Sequence, residues 1–184
     1  MKNILLYLSA FIPMYALIIL KQTLEMIMGN IKANFLNFFV ICLLIIIIIL
    51  GLIGLRLEIL NAKQKSQKIT IIDKKNTTSH NFLGYFSLFV LFALSFDLSK
   101  LSMLIVFAMI LLMIGIVYVK NKLFYINPFL NILGFNFYDI TYTLKDDKNE
   151  YKTKIFFKGE LYLNKTYCVK IKDENFSFLC KKGL

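Results

Sequence analysis

Residues 101–141 read LSMLIVFAMILLMIGIVYVKNKLFYINPFLNILGFNFYDIT, and this stretch decides the fold. Its first 19 residues are interrupted only by Ser102 and Gly115, which is the length and character of a bilayer-spanning helix. Its second half mixes aromatic and β-branched residues with Asn, Pro and Gly, a composition typical of strands and turns. The chain before this stretch is mostly apolar, whereas the chain after it is polar with alternating hydrophobic residues. We therefore expect a helical membrane domain followed by a small sheet.

The composition of the whole chain supports the membrane class. Its 184 residues are 58% hydrophobic with a mean hydropathy of +0.67, which is more than a soluble domain shows. Three cysteines and one histidine leave few ligands for a metal and no framework of secreted disulfides. We therefore expect no metal and no cofactor.

Four apolar segments predict four transmembrane helices, at about residues 4–20, 35–55, 82–98 and 101–119. Pro13 is expected to kink the first span because proline removes a backbone hydrogen-bond donor. The third span is the shortest. Asp97, which follows its apolar part, is expected in an interfacial turn with Ser99 as the cap of the next helix.

Between the second and third spans, residues 56–81 are predicted to form a basic loop. With four spans, this loop and both termini share one side, which receives 19 of the 22 lysine and arginine residues. That excess places the side in the cytoplasm. Attraction to anionic lipid is the first explanation for these charges, and a cytoplasmic partner or nucleic acid is the alternative. The candidate lipid or partner contacts are Lys63, Lys65, Lys68, Lys74 and Lys75.

After a transmembrane domain at residues 1–122, residues 123–184 predict a small antiparallel β domain in the cytoplasm. Asn127 and Pro128 start a turn, and Gly134 ends a single turn of helix before a strand at residues 135–144. These three residues are a candidate coupling turn, because they set the angle between the last span and the β domain. The alternative is that they only make a turn.

A further strand is predicted at residues 151–157, and a hairpin ends the chain. The apolar residues of the hairpin align if Val169 lies opposite Phe178. A shifted register would place Cys168 opposite Cys180, but it would scatter the aromatic residues. We therefore expect reduced cytosolic thiols and no disulfide.

No residue pattern in the chain indicates an enzyme. The spans hold no opposed charges or acidic row, and the sequence has no glycine-rich phosphate loop, ligand cluster or nucleophile with a base. The remaining classes are a membrane sensor or scaffold, a pore-forming or holin-like effector, and the membrane subunit of an unrelated complex. We expect the first of these, without enzymatic activity and without direct binding to nucleic acid.

The order of these motifs resembles one known family. The motifs LSFDLS at residues 94–99, YVK at 118–120 and FYINPFLNILGFNFYDIT at 124–141 resemble KwaA, the four-span membrane component of the Kiwa bacterial antiphage defence system. The resemblance implies an inner-membrane protein that forms a homo-oligomer, senses phage infection and works with KwaB, a cytoplasmic DNA-binding effector. It implies no catalytic residues. From the topology, we infer that the cytoplasmic lysines and the β domain are the docking surface for that partner.

Overall fold

The chain has a helical first part and a strand-rich last part, with one strand inserted among the helices. The structure is a computed structural model that describes residues 2–64, 67–121, 123, 127–144, 147–173 and 176–180. The helices within these residues are α1 (Lys2–Ala10), α2 (Ile12–Ile27), α3 (Phe35–Gln64), α4 (Thr78–Ser95), α5 (Leu101–Lys120) and α6 (Pro128–Ile132). The strands are β1 (Gln67–Asn76), β2 (Phe135–Leu144), β3 (Asp147–Lys158), β4 (Thr166–Asp173) and β5 (Phe176–Cys180).

In the described residues, two helices are long and apolar enough to cross a membrane: Phe35–Leu57 in α3 and Leu101–Lys120 in α5. A third crossing results if the bent pair α1 and α2 counts as one span. The apolar part of α4 is the shorter segment Phe86–Ser95, and α4 ends before Asp97. Helices of spanning length are therefore confirmed for up to three of the four predicted segments. A helix across all of residues 82–98 is not confirmed.

The first predicted span consists of two helices that meet at an angle of 52°. α1 ends at Ala10, and Pro13 lies in the first turn of α2, where its missing N–H costs no helical hydrogen bond. The kink expected from Pro13 is therefore present as a break at Phe11. α2 also continues to Ile27, beyond the predicted end of the span at Leu20.

Asp97 organises the turn between α4 and α5. Its carboxylate accepts hydrogen bonds from the backbone N–H and the hydroxyl of Ser99, and it pairs with Lys100 at 3.2 Å. The hydrogen bond from the Ser99 hydroxyl is the main reason that the pKa of the Asp97 carboxyl lies below its usual value. The expected cap is wrong: Lys100 occupies the N-cap position of α5, and Ser99 donates its hydroxyl to Asp97 instead.

α1 packs against the second half of α3 through two glycines. A Cβ at Gly51 would lie 3.1 Å from the Cα of Ser9, and one at Gly54 would overlap the Cβ of Leu5. Toward the start of α3, Gln22 of α2 donates a hydrogen bond to Asn37 at 3.1 Å. α1 and α2 therefore run alongside α3 in the opposite direction, and small residues permit the close approach.

Replacing Gly54 with alanine is expected to lower the melting temperature of the purified protein, although alanine is the better helix former. The new methyl group overlaps Leu5, and such overpacking costs about 1–3 kcal/mol. Gly84→Ala in α4 is the matched control, because nothing lies within 4 Å of its added Cβ. Thermal unfolding in detergent measures both variants, and equal melting temperatures would contradict the close contact.

The strands close into a barrel in the order β1, β2, β3, β5, β4, with β4 pairing back to β1. Neighbouring strands are antiparallel except β3 and β5, which are parallel. The prediction of a purely antiparallel module is therefore wrong for this pair. The order is that of the OB-fold, a five-stranded Greek-key barrel. Closure stabilises the module because each of the five strands has a neighbouring strand on both sides.

β1 comes from the segment predicted as a basic loop at residues 56–81. α3 continues to Gln64, and Gln67–Asn76 then pairs with β2 on one side and with β4 on the other. Ile69 and Ile71 are fully buried in the barrel, which gains hydrophobic free energy that a loop would not gain. The loop prediction is therefore wrong for β1. This strand belongs to the barrel, although its residues lie within the predicted transmembrane domain.

The final hairpin adopts the shifted register in place of the expected one. Its backbone places Cys168 opposite Cys180 and Val169 opposite Leu179, so the expected pairing of Val169 with Phe178 is wrong. A bulge after Ile171 shifts the pairing, and β5 must also pair with β3. The two cysteine side chains lie outside the part of the chain that the structure describes, so the absence of a disulfide stays a prediction.

The barrel has an apolar interior and an apolar patch on its outer face. Phe137 and Phe156 form the patch, with ring centroids 5.1 Å apart, and both belong to the buried cluster of the helices. The barrel is therefore docked on the helices through these two rings. Its interior is filled by Ile69, Ile71, Tyr138, Ile140, Tyr142, Ile155, Phe157, Leu161 and Tyr167.

Candidate functional site

The short helix α6 lies where the membrane helices meet the barrel. It packs against α1, α2, α4 and β2. Asn127 is its N-cap, and the side-chain oxygen accepts a hydrogen bond from the N–H of Leu130 at 3.3 Å. Pro128 follows in the first turn, which suits its fixed φ angle. The predicted turn at Asn127 and Pro128 is therefore confirmed, whereas its role in coupling stays a prediction.

Asn127 also contacts the first helix. Its side-chain amide donates a hydrogen bond to the Ser9 hydroxyl at 2.9 Å, and Ser9 donates in turn to the carbonyl of Leu6 at 2.7 Å. Asn127 is 3% exposed and Ser9 is fully buried, so water does not compete for this hydrogen bond. Ser9 lies beside the break between α1 and α2. A buried polar contact therefore joins the entry to the barrel with the bend of the first span.

Two further contacts orient β2 relative to the helices. Gly134 follows α6 with a φ of +83°, which glycine adopts without strain. The Thr78 hydroxyl, in the first turn of α4, accepts a hydrogen bond from the N–H of Phe137 at 2.7 Å, and the N–H of Thr77 donates to the Phe137 carbonyl at 3.0 Å. We call the group formed by α6, Ser9, Thr78, Asn127, Gly134 and Phe137 the junction.

The structure does not bring the predicted lysine contacts together in one site. Lys68 and Lys75 are exposed on β1. Lys74 is also exposed, and its ammonium group donates a hydrogen bond to the carbonyl of Leu161. The Lys63 side chain and all of Lys65 lie outside the described part of the chain. Three of the five residues are therefore placed where a lipid or a partner could reach them.

A groove of about 410 Å³ crosses the outer face of β1, β2 and β3. In the strand register, Asp139 of β2 stands between Lys75 of β1 and Lys154 of β3, and Asp73 and Lys152 continue the groove. One carboxylate oxygen of Asp139 is buried without a hydrogen-bond partner among the described residues. Alternating carboxylates and ammonium groups complement another protein better than they complement the uniform negative charge of nucleic acid.

A family model matches almost the whole chain. It is the model of Anti-phage protein KwaA, and it matches residues 2–178. The chain belongs to the KwaA family of anti-phage proteins. Family membership assigns it a role in defence against phage, and the matched region includes both the helices and the junction. No curated protein and no solved structure matches the chain.

Sequence reasoning identified only some of the residues at the junction of this KwaA-family chain. It selected Asn127, Pro128 and Gly134 but missed their partners Ser9 and Thr78. One signal was available for Ser9, since it is a hydroxyl side chain inside an apolar segment, and such groups usually bond to another helix. Thr78 carries no comparable signal, because threonine is common at the start of a helix. Among the described residues, no group of three His, Cys, Asp or Glu side chains could hold a metal ion.

Proposed function

We propose that this KwaA-family protein is a non-enzymatic sensor and scaffold of the bacterial inner membrane, which detects infection at the membrane and regulates a cytoplasmic effector. Its family supports the role in phage defence. The junction is the observation that carries the proposal, because the buried hydrogen bond between Ser9 and Asn127 joins a bent membrane helix to α6, which leads into the barrel. A change in the angle between α1 and α2 would reach the barrel through this hydrogen bond.

The barrel supports a topology of four spans. β1 and β2 are neighbouring strands, so the hairpin of α4 and α5 between them leaves the barrel and returns to it. If α5 crosses the bilayer, the return of the chain to the barrel would require α4 to cross it as well. The 18 residues of α4 extend about 27 Å, close to the hydrocarbon thickness of about 30 Å.

The same reasoning supports an N-terminus on the barrel side of the membrane. α3 leads into β1, so the end of α3 lies on the barrel side of the membrane. α1 and α2 run in the opposite direction to α3, which returns the N-terminus to that side. The excess of lysine and arginine on the barrel side supports its placement in the cytoplasm.

The proposed partner is a cytoplasmic DNA-binding effector of the KwaB type, as the resemblance implies. We assign its docking to the groove on β1, β2 and β3. Asp139 and Lys154 in this groove lie two residues along their strands from Phe137 and Phe156, which contact the helices. A movement of the helices against these rings would therefore act close to the bound partner.

The homo-oligomer that the resemblance implies is also part of the proposal. α5 exposes large apolar side chains over much of its length, including Ile105, Leu112 and Ile116. In a bilayer, these side chains would pack against lipid or against a second copy of the chain.

Reversing two exposed lysines of the groove, Lys75→Glu together with Lys152→Glu, is expected to reduce recovery of the effector about tenfold in co-purification. The two new glutamates would stand beside Asp73 and Asp139. The groove would then repel an acidic side chain of the partner. Lys32→Glu is the control, because Lys32 is exposed between α2 and α3 on the opposite side of the proposed membrane.

Quantitative pull-down from membranes that contain both proteins measures this effect. Unchanged recovery with the reversed groove would contradict the docking site. Point substitutions are preferable to removal of residues 123–184, because that truncation would leave β1 without either neighbouring strand.

A further inference from the structure

A cavity of about 390 Å³ lies between α4 and α5, against the bend of the first span. α4 packs on α2 and α6, whereas α5 packs on α1, so the two helices are held apart beyond their connecting turn. The cavity, which we call the wedge, is lined by apolar and aromatic side chains that include Phe11, Leu88, Phe92, Met113, Val117 and Tyr118.

The wedge is open to the surroundings of the helices. Leu88, Met113 and Val117 in its lining are 47%, 58% and 51% exposed, and α5 is a helix able to cross a membrane. In a bilayer, the surroundings are hydrocarbon. An empty wedge would leave these side chains without van der Waals partners, and apolar cavities accept apolar guests. An apolar occupant is therefore favoured.

The surroundings of the wedge favour a lipid chain as its occupant. The wedge opens beside α5, a helix able to cross a membrane, so the hydrocarbon chains of the bilayer lie directly at its mouth.

The ammonium group of Lys120 lies toward one end of the wedge. Lys120 follows Met113 by seven positions and Val117 by three, so the helical repeat places all three on one face of α5. Lys120 is exposed in the last turn of α5, at the cytoplasmic end of the proposed topology. A phospholipid whose chain enters the wedge would bring its phosphate to this ammonium group.

We propose that the wedge binds an acyl chain of an anionic phospholipid, whose headgroup contacts Lys120. This site is separate from the proposed sensing function, since it concerns lipid bound in a resting bilayer. Its test requires neither phage nor the effector.

The chain contains no tryptophan, so a single introduced indole reports only its own surroundings. The full chain carrying Met113→Trp is reconstituted in phosphatidylcholine vesicles that contain a minor fraction of phosphatidylglycerol with brominated chains. Bromine on a nearby chain quenches the indole fluorescence. The chain with Leu112→Trp is the control, because Leu112 is exposed on α5 and does not line the wedge.

Quenching of the Met113→Trp chain is expected to exceed that of the Leu112→Trp chain, and Lys120→Gln is expected to reduce the preference for the anionic lipid about fivefold. Val117→Phe, which fills the wedge, should abolish the excess quenching. Ile116→Phe, at a neighbouring exposed position outside the lining, should preserve it.

Three results would overturn the proposal. Equal quenching at the two reporter positions would mean that no lipid is bound preferentially. The same excess with brominated phosphatidylcholine would exclude the contact between the anionic headgroup and Lys120. Fluorescence at Met113→Trp that no brominated lipid quenches would mean that protein covers the wedge.

Discussion

Replacing Phe137 with alanine is expected to detach the barrel from the membrane helices while the barrel itself stays folded. Phe137 is 2% exposed and packs outside the barrel, against Phe156 and the buried cluster of the helices. Loss of a buried phenylalanine ring costs about 3–5 kcal/mol. Most of this free energy should be lost from the contact between the barrel and the helices. The barrel interior should be little affected, because it contains none of the removed atoms.

Phe157→Ala is the matched control for this experiment. Phe157 is also 2% exposed and lies on the strand that pairs with β2, but its ring fills the barrel interior. Hydrogen exchange in reconstituted membranes separates the two effects. Phe137→Ala should accelerate exchange at Leu130 and at the junction, whereas Phe157→Ala should accelerate it throughout β2 and β3. Equal acceleration across the strands in both variants would contradict separate docking and interior contacts.

Asn127→Ala is expected to abolish phage defence while the protein still reaches the membrane at normal levels. The substitution removes the N-cap of α6, worth about 0.5–2 kcal/mol, together with the hydrogen bond to Ser9. α6 would then no longer connect the bend of the first span with β2. Plaque counts on cells that express the complete defence system measure the loss, and immunoblots of membranes measure the protein level.

A double-mutant cycle with Ser9→Ala isolates the hydrogen bond between the two residues. Polar contacts between membrane helices contribute about 0.6 kcal/mol on average in such cycles, up to about 1.7 kcal/mol. Ser95→Ala is the control for serine removal, because the Ser95 hydroxyl donates to the Leu91 carbonyl of its own helix. Additive losses of stability for Asn127→Ala and Ser9→Ala would contradict direct coupling. Loss of the protein from membranes would instead mean that Asn127 only stabilises the turn.

β2 was the most predictable strand of the fold. The mixture of aromatic and β-branched residues at 135–144 predicted β2 with its observed bounds, and Gly134 closes the preceding helical turn as expected. β1 was missed, although Ile69 and Ile71 alternate with Lys68 and Thr70 in the sequence. The lysines of this segment indicated a loop, because a strand with so few apolar residues is stable only when both of its neighbours are present.

At the candidate site, prediction succeeded for local contacts and failed for distant ones. Asn127 and Pro128 are recognisable because a capping side chain and a proline act on the adjacent turn. Their partner Ser9 lies 118 positions away, and no local preference connects the two. The hairpin register failed for a related reason, since the parallel neighbour β3 constrains β5 from outside the hairpin.

Hydropathy and local backbone preference are properties of short segments, and they were sufficient for the long apolar helices, the bend near Pro13 and the turn that begins at Asn127. Closure of the barrel with β1, the docking of Phe137 on the helices and the wedge between α4 and α5 depend on segments that are distant in the chain. Their free energies arise only when those segments pack together, because the buried area and the paired hydrogen bonds belong to neither segment alone.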